Sequence, residues 1–204
     1  MKKWYFIQIM FCFLSFPAKA QSSAGIKADV SMSGFLTSQS ANLKIRSKSG
    51  CSAGFFYNYK FIENVAVQAN MMLRYRASEI KNQTTGETAD FYYLSVELPL
   101  YSLRQAEMDN SVLYFGFGAS ASYGLTARFQ SEAQRINPYK RAQSGDTMLR
   151  RWDFGIGFII GYETKYNLQF NFNCQLGLRN LVNEGFENVE MLSQLISLGA
   201  GYRF

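Results

Sequence analysis

The chain has 204 residues, 48% hydrophobic and 16% aromatic, with no His and a formal net charge of +6. That is enough for one domain with a sizeable core. Lack of His removes the commonest general base and metal ligand, and no stretch holds the roughly 18 successive apolar residues that a membrane-spanning helix needs.

Lys2 and Lys3 precede an apolar run from Trp4 to Phe16, and Ala18-Lys19-Ala20 closes the segment. A charged start, a short apolar middle and a small-x-small end predict a secretory signal peptide over residues 1–20, cut after Ala20. Residues 21–204 are then the mature domain. Losing Lys2, Lys3 and Lys19 takes the formal charge from +6 to +3, too mild to argue for nucleic acid.

From Ile26 the chain alternates. Ile26, Ala28, Val30 and Met32 interleave with Lys27, Asp29, Ser31 and Ser33, which predicts a first strand. Residues 35–49, rich in Ser, Asn and Lys, read as a loop. A second strand sets Cys51, Ala53, Phe55, Tyr57 and Tyr59 against Ser52, Gly54, Phe56 and Asn58. After a tight turn, a third sets Val67, Ala69, Met71, Leu73 and Tyr75 against Gln68, Asn70, Met72, Arg74 and Arg76. Residues 79–90 are a polar loop. The fourth strand alternates Tyr92, Leu94, Val96, Leu98 and Leu100 with Tyr93, Ser95, Glu97 and Pro99; Pro99, lacking a ladder donor, is expected near the end of the pairing or at a bulge.

The clearest stretch is residues 113–125. Leu113, Phe115, Phe117, Ala119, Ala121, Tyr123 and Leu125 alternate with Tyr114, Gly116, Gly118, Ser120, Ser122 and Gly124. A helix would mix the two sets and lose roughly 1 kcal/mol at each Gly, whereas a strand sorts them onto opposite faces. The longest connection, residues 126–150, follows. A sixth strand sets Trp152, Phe154, Ile156, Phe158, Ile160 and Tyr162 against Asp153, Gly155, Gly157, Ile159 and Gly161. A seventh runs from Leu168 to Arg179, and the last ends at Phe204.

Eight strands joined by alternately long and short connections predict an all-β fold, an eight-stranded antiparallel up-and-down transmembrane β-barrel. A soluble ligand-binding barrel would turn the apolar face inward and stud the other with Lys and Glu. Here the second face is Gly, Ser and Asn with a few charges, Arg74, Arg76, Glu97, Asp153, Arg179 and Arg203, while the apolar face carries almost none. Tyr75, Tyr92, Tyr123 and Trp152 fall at one set of strand ends, and Tyr57, Tyr59, Tyr162, Tyr202 and Phe204 at the other, as two aromatic girdles. The greasy face therefore meets lipid. Tyr202 and the terminal Phe204 resemble the C-terminal signal that the barrel-assembly machinery reads during biogenesis.

Short motifs carry a family resemblance. Leu98-Pro99-Leu100, Tyr114-Phe115-Gly116-Phe117-Gly118, Asp153-Phe154-Gly155, Gly161-Tyr162-Glu163, Gly177-Leu178-Arg179-Asn180-Leu181 and Gly199-Ala200-Gly201-Tyr202-Arg203-Phe204 resemble the PorT-like outer-membrane β-barrel proteins of the Bacteroidota. The resemblance implies an eight-stranded barrel in the bacterial outer membrane with no enzyme activity, and a link to protein secretion and gliding.

No chemistry contradicts this. No inner strand face offers Ser beside Lys, Cys51 and Cys174 fall on strands that are not neighbours and so are expected as free thiols, and no cofactor is expected. The inner charges admit two readings: an anion path along Arg74, Arg76 and Arg179, or a structural plug in which Arg74 pairs with Glu97 and Asp153 with Arg179. Lys44, Arg46 and Lys48 in the first long loop, with Arg135, Lys140 and Arg141 in the third, are the basic candidates for contact with lipopolysaccharide or a protein partner. The expected role is a non-enzymatic membrane anchor or subunit of a surface or secretion complex; the alternative is a narrow transporter for a small or apolar solute.

Overall fold

The computed structural model describes residues 22–37, 43–82, 88–131, 135–140, 147–183 and 191–204, without the side chains of residues 37, 43–45, 82, 131 and 135. The expected signal peptide and its cleavage point lie outside the described residues, as do Arg141 and the side chains of Lys44 and Arg135.

Alternation becomes strand throughout. The elements are β1 (Ser22–Thr37), β2 (Leu43–Ile62), β3 (Val65–Asn82), β4 (Thr88–Met108), β5 (Ser111–Ser131), the two-residue β6 (Arg135–Ile136), β7 (Trp152–Glu163), β8 (Leu168–Gly177) and β9 (Met191–Arg203). Each long strand pairs antiparallel with the next in the chain, β5 passing over β6 to β7. β9 then pairs with β1 from Gly25↔Arg203 to Thr37↔Met191 and closes a ring of eight. Closure removes both sheet edges, so the ladder needs no protecting element.

The outward face is apolar around the ring: Val30, Phe55, Leu73, Leu98, Phe117, Ile156, Phe170 and Leu198 are all exposed. The inward face buries Lys27, Asp29, Ser52, Asn70, Arg74, Glu97, Asp153, Asn171 and Ser197. This inverts a soluble protein. At the ends stand the aromatics, with Tyr75 stacked on Tyr92 at 6.3 Å and Tyr123 against Trp152 at 5.0 Å on the loop side. On the turn side Tyr59 meets Phe61 and Tyr202 meets Phe204. There the β7–β8 turn is held by Asn167, which takes φ 63°, a conformation Asn tolerates better than most residues.

Five expectations change in detail. The expected loop at 79–90 is shorter, since β3 runs to Asn82 and β4 begins at Thr88. Most of residues 35–49 are strand: β1 runs to Thr37 and β2 begins at Leu43. β5 likewise continues to Ser131 and adds the small β6. Beyond the girdle a strand no longer needs an apolar outer face, so its polar composition resembles a loop. Pro99 sits mid-strand, in register with Ser120 of β5. The β3–β4 ladder is interrupted there, resuming from Met72↔Glu97 to Ala69↔Leu100 without a register change, and Pro99 O takes Asn70 Nδ2 instead. Finally, β8 ends at Gly177, short of Arg179.

Candidate functional site

β1, β3, β4 and β7 project their charged residues into one layer of the lumen. Arg74 Nε donates to Glu97 Oε2 at 2.7 Å, and Arg76 Nη2 takes the other Glu97 oxygen. Arg74 Nη2 also reaches Asp29 Oδ2 at 3.5 Å, where Ser52 Oγ donates at 3.1 Å. Lys27 Nζ stands 3.7 Å from Asp29 Oδ1 and donates to Asn171 at 3.4 Å. Gly199 lies against Asp29, where any Cβ would collide with the carboxylate. Lys27, Arg74 and Arg76 face Asp29, Glu97 and Asp153, so the formal charges of the layer cancel. Burying an ion costs several kcal/mol unless paired, so neutrality is the condition for filling the lumen this way.

Asp153 and Arg179 do not form the expected pair. If the β7–β8 ladder continued past Gly155↔Gly177, the two would lie opposite each other, but it stops there. Gly177 has no side chain to block the way, and the Asp153 carboxylate crosses it to take Ser193 Oγ of β9 at 2.6 Å. Asp153 Oδ1 accepts no further bond and faces a cavity of about 10 Å³ lined by Arg76, Glu97, Ser120 and Ser122, the space of one water centre. The sequence expectation also leaves out Lys27 and Asp29, although the alternation of β1 places them on the inner face.

Two apolar layers flank the charges. Toward the turns, Ala66, Tyr101, Leu103, Tyr114 and Ile159 fill the lumen, with Gln175 Nε2 donating to Tyr101 Oη at 3.0 Å. Toward the loops, Phe91, Tyr93 and Ala127 from the strands pack with Tyr139, Leu149 and Leu181 from the connections. Those connections hold one another: Leu149 bridges Val182, Arg150 N donates to Leu181 O at 2.9 Å, and Asn183 N to Met148 O at 3.1 Å. Arg151 lies 4.4 Å over the Tyr139 ring while its Nη1 donates to Gly124 O and Leu125 O at 3.1 and 3.2 Å. The described parts of the third connection, residues 136–140 and 147–151, thus fold into the barrel mouth as a cap, which their non-periodic sequence does not announce.

The basic loop candidates divide. Lys48 is bound by Asp90 at 2.5 Å and Glu79 at 3.5 Å. This cluster lies beyond the Tyr75–Tyr92 stack, outside the lipid belt; hydrogen bonding from Lys48 holds the Asp90 carboxyl below its usual value, and the same bond raises the Lys48 ammonium. Arg46 is exposed opposite Glu79, and Lys140 is exposed beside Tyr139. Among the described residues no group of three or more His, Cys, Asp or Glu gathers as metal ligands.

Residues 17–183 match the family of the outer membrane protein beta-barrel domain. The chain belongs to that family. Its apolar belt is accordingly the lipid-facing surface of a bacterial outer-membrane barrel, and the aromatic girdles mark the two interfaces. Among solved structures this outer-membrane barrel is similar to the outer membrane protein OprG of Pseudomonas aeruginosa, at 13% identity and a TM-score of 0.57, over 91% of this chain and 97% of that one. It is also similar to Ail, the attachment invasion locus protein of Yersinia pestis, at 17% identity and a TM-score of 0.47, over 90% and 99%. At such identities the likeness to OprG speaks to fold alone. No curated protein matches the chain.

Proposed function

We propose that this outer-membrane barrel is non-enzymatic and not a general pore, serving as an anchor or subunit of a surface or secretion complex of the PorT-like kind. The supporting observation is the filled lumen: a neutral layer of ion-paired charges beneath an apolar cap. Glu97 is occupied by Arg74 and Arg76 and is not poised as a base. Export follows cleavage of residues 1–20, and the terminal Phe204 presents the assembly signal. The exposed loop end, with Arg46 and Lys140, is the surface offered to lipopolysaccharide or to a protein partner.

Liposome swelling tests the reading. Reconstituted protein should admit no small sugar, and affinity capture from solubilised outer membrane should retain a protein partner. Swelling comparable to a porin control would replace the anchor with a transporter.

A further inference from the structure

β7 leaves β5 early. The β5–β7 ladder ends at Tyr123↔Trp152, and β5 meets its next strand partner only at Phe129↔Ile136 of β6. Between them, Arg151 bonds the backbone of Gly124 and Leu125. With β7 gone, residues 136–140 of the connection stand beside the outer face of β3, β4 and β5, and a groove forms between them. This groove is about 590 Å³, and its lining includes Tyr75, Tyr92, Leu94, Thr126, Arg128 and Lys140. Tyr75, Leu94 and Thr126 lie in register across β3, β4 and β5, and Arg128 lies opposite Tyr92. The groove is thus level with the loop-side aromatic girdle, half in the lipid belt and half above it.

Its chemistry is equally divided. One wall is the Tyr75–Tyr92 stack and Leu94, continued into the belt by Leu73 and Val96, which are partners in register. The other side carries Arg128 and Lys140, both exposed, and among the described residues neither makes an ion pair or a side-chain hydrogen bond. Lys48, by contrast, is neutralised by Asp90 and Glu79. Among the described residues no carboxylate lines the groove. Two exposed cations above an aromatic and aliphatic wall, at the height of lipid headgroups, complement an amphiphile with an anionic head and acyl tails.

We propose that this groove binds a phosphorylated lipid of the outer leaflet, its phosphate between Arg128 and Lys140 and an acyl chain descending over Leu94, Leu73 and Val96. Guanidinium and ammonium both suit a phosphate, Arg as a fork and Lys as a point charge. The proposal rests on the reading of the loop end as a lipopolysaccharide-facing surface, which it narrows to one groove, and is independent of the role as an anchor.

The full-length mature protein in detergent micelles, titrated with bisphosphorylated lipid A and followed by native mass spectrometry, tests it. Arg128→Gln with Lys140→Gln should weaken retention roughly 30-fold, about fivefold for each cation, while Lys165→Gln, in the β7–β8 turn at the opposite end of the barrel, leaves it unchanged. Leu94→Ser should weaken it as well without changing charge. Unboiled gel mobility of each variant verifies that the barrel is closed. Equal retention by the double variant, equal loss in Lys165→Gln, or competition by free inorganic phosphate at matching concentration would overturn the proposal, the last by showing a soluble-anion site. Sugar exclusion or partner capture by the same protein reports on the anchor reading alone.

Discussion

Glu97 is two residues from Ser95, the register partner of Arg74, yet its carboxylate and not the Ser95 hydroxyl takes Arg74 Nε, at 2.7 Å. Diagonal pairs across neighbouring strands are within reach of long side chains. The offset also brings Glu97 to Arg76, so a single carboxylate serves two guanidinium groups. Glu97→Gln keeps the shape and removes the charge, and should destabilise the barrel by about 3–5 kcal/mol, the usual result of stranding a buried ion. Urea unfolding of lipid-reconstituted protein, read by gel shift, measures it. Arg74→Gln combined with Glu97→Gln should cost less than the sum of the two single changes; strict additivity would show that the contact carries no energy.

Two inner glycines should respond unequally to a methyl group. At Gly118 a Cβ would meet the backbone of β4, with Tyr101 Cα at 2.8 Å, and neither strand can withdraw without breaking the ladder. At Gly157 the nearest atoms are Gln175 Cγ and Tyr101 Oη, both at 3.1 Å and both on side chains. Gly118→Ala is expected to reach or exceed the roughly 1–3 kcal/mol typical of overpacking, and Gly157→Ala to stay below it. The yield of heat-modifiable protein and its urea midpoint report the difference.

The strands were legible because one face had to be apolar, which writes a period of two into Ile26–Met32, residues 113–125 and Trp152–Tyr162. Where that demand stops, so does the signal. Residues 43–49 belong to β2 but lie toward the loop end, where water replaces lipid and Lys and Ser satisfy either conformation. The Arg74–Glu97 contact followed from counting along a regular antiparallel ladder; Asp153–Arg179 did not form because the same count ran past the end of β8. Tyr139, Leu149 and Leu181 left no trace, since each is an isolated apolar residue whose partners come from distant segments.

The Lys48–Asp90 bond predicts a titration. Asp90 has a lowered pKa in the folded protein, so its contribution is fully present above the ordinary carboxylate value of about 3.9 and is lost as pH falls through the lowered one. Lys48 has a raised pKa, and its contribution disappears only as pH rises through that value. Carbon-detected NMR of the Asp90 carboxyl should show a midpoint below the ordinary range. Lys48→Gln should move it back up, and a midpoint indifferent to Lys48 would mean that the bond does not form in the membrane-inserted protein.

Cys51 and Cys174 lie on β2 and β8, which are separated around the ring by β1 and β9, and both are free. Both also alternate with inward residues and so face outward. A maleimide should label Cys51, the register partner of the girdle residue Tyr75, faster than Cys174, whose partners Phe158 and Ile196 lie within the apolar belt, away from water. Non-reducing mass analysis should show no loss of two hydrogens. The same spectrum should place the mature N-terminus at Gln21; a mass retaining residues 1–20 would contradict export by a cleaved leader.

The cap and the charged layer can be separated by one substitution. Tyr139 rests on Gly124, and a Cβ there would collide with its hydroxyl and stand 2.7 Å from Cζ, with the Tyr93 ring 3.0 Å away. Gly124→Ala therefore unseats Tyr139 from beneath Arg151, removing a cation–π contact worth about 0.5–2 kcal/mol and loosening residues 137–140 and 147–151. Trypsin should then cut after Arg150 or Arg151 faster than in the parent, and Tyr139→Ala should reproduce this. The ion-paired layer lies below the cap and shares no hydrogen bond with Tyr139, so gel mobility and sugar exclusion should be unchanged in both variants. If swelling rises while the Arg74–Glu97 pair remains intact, the barrel is closed by its cap and not by its charges.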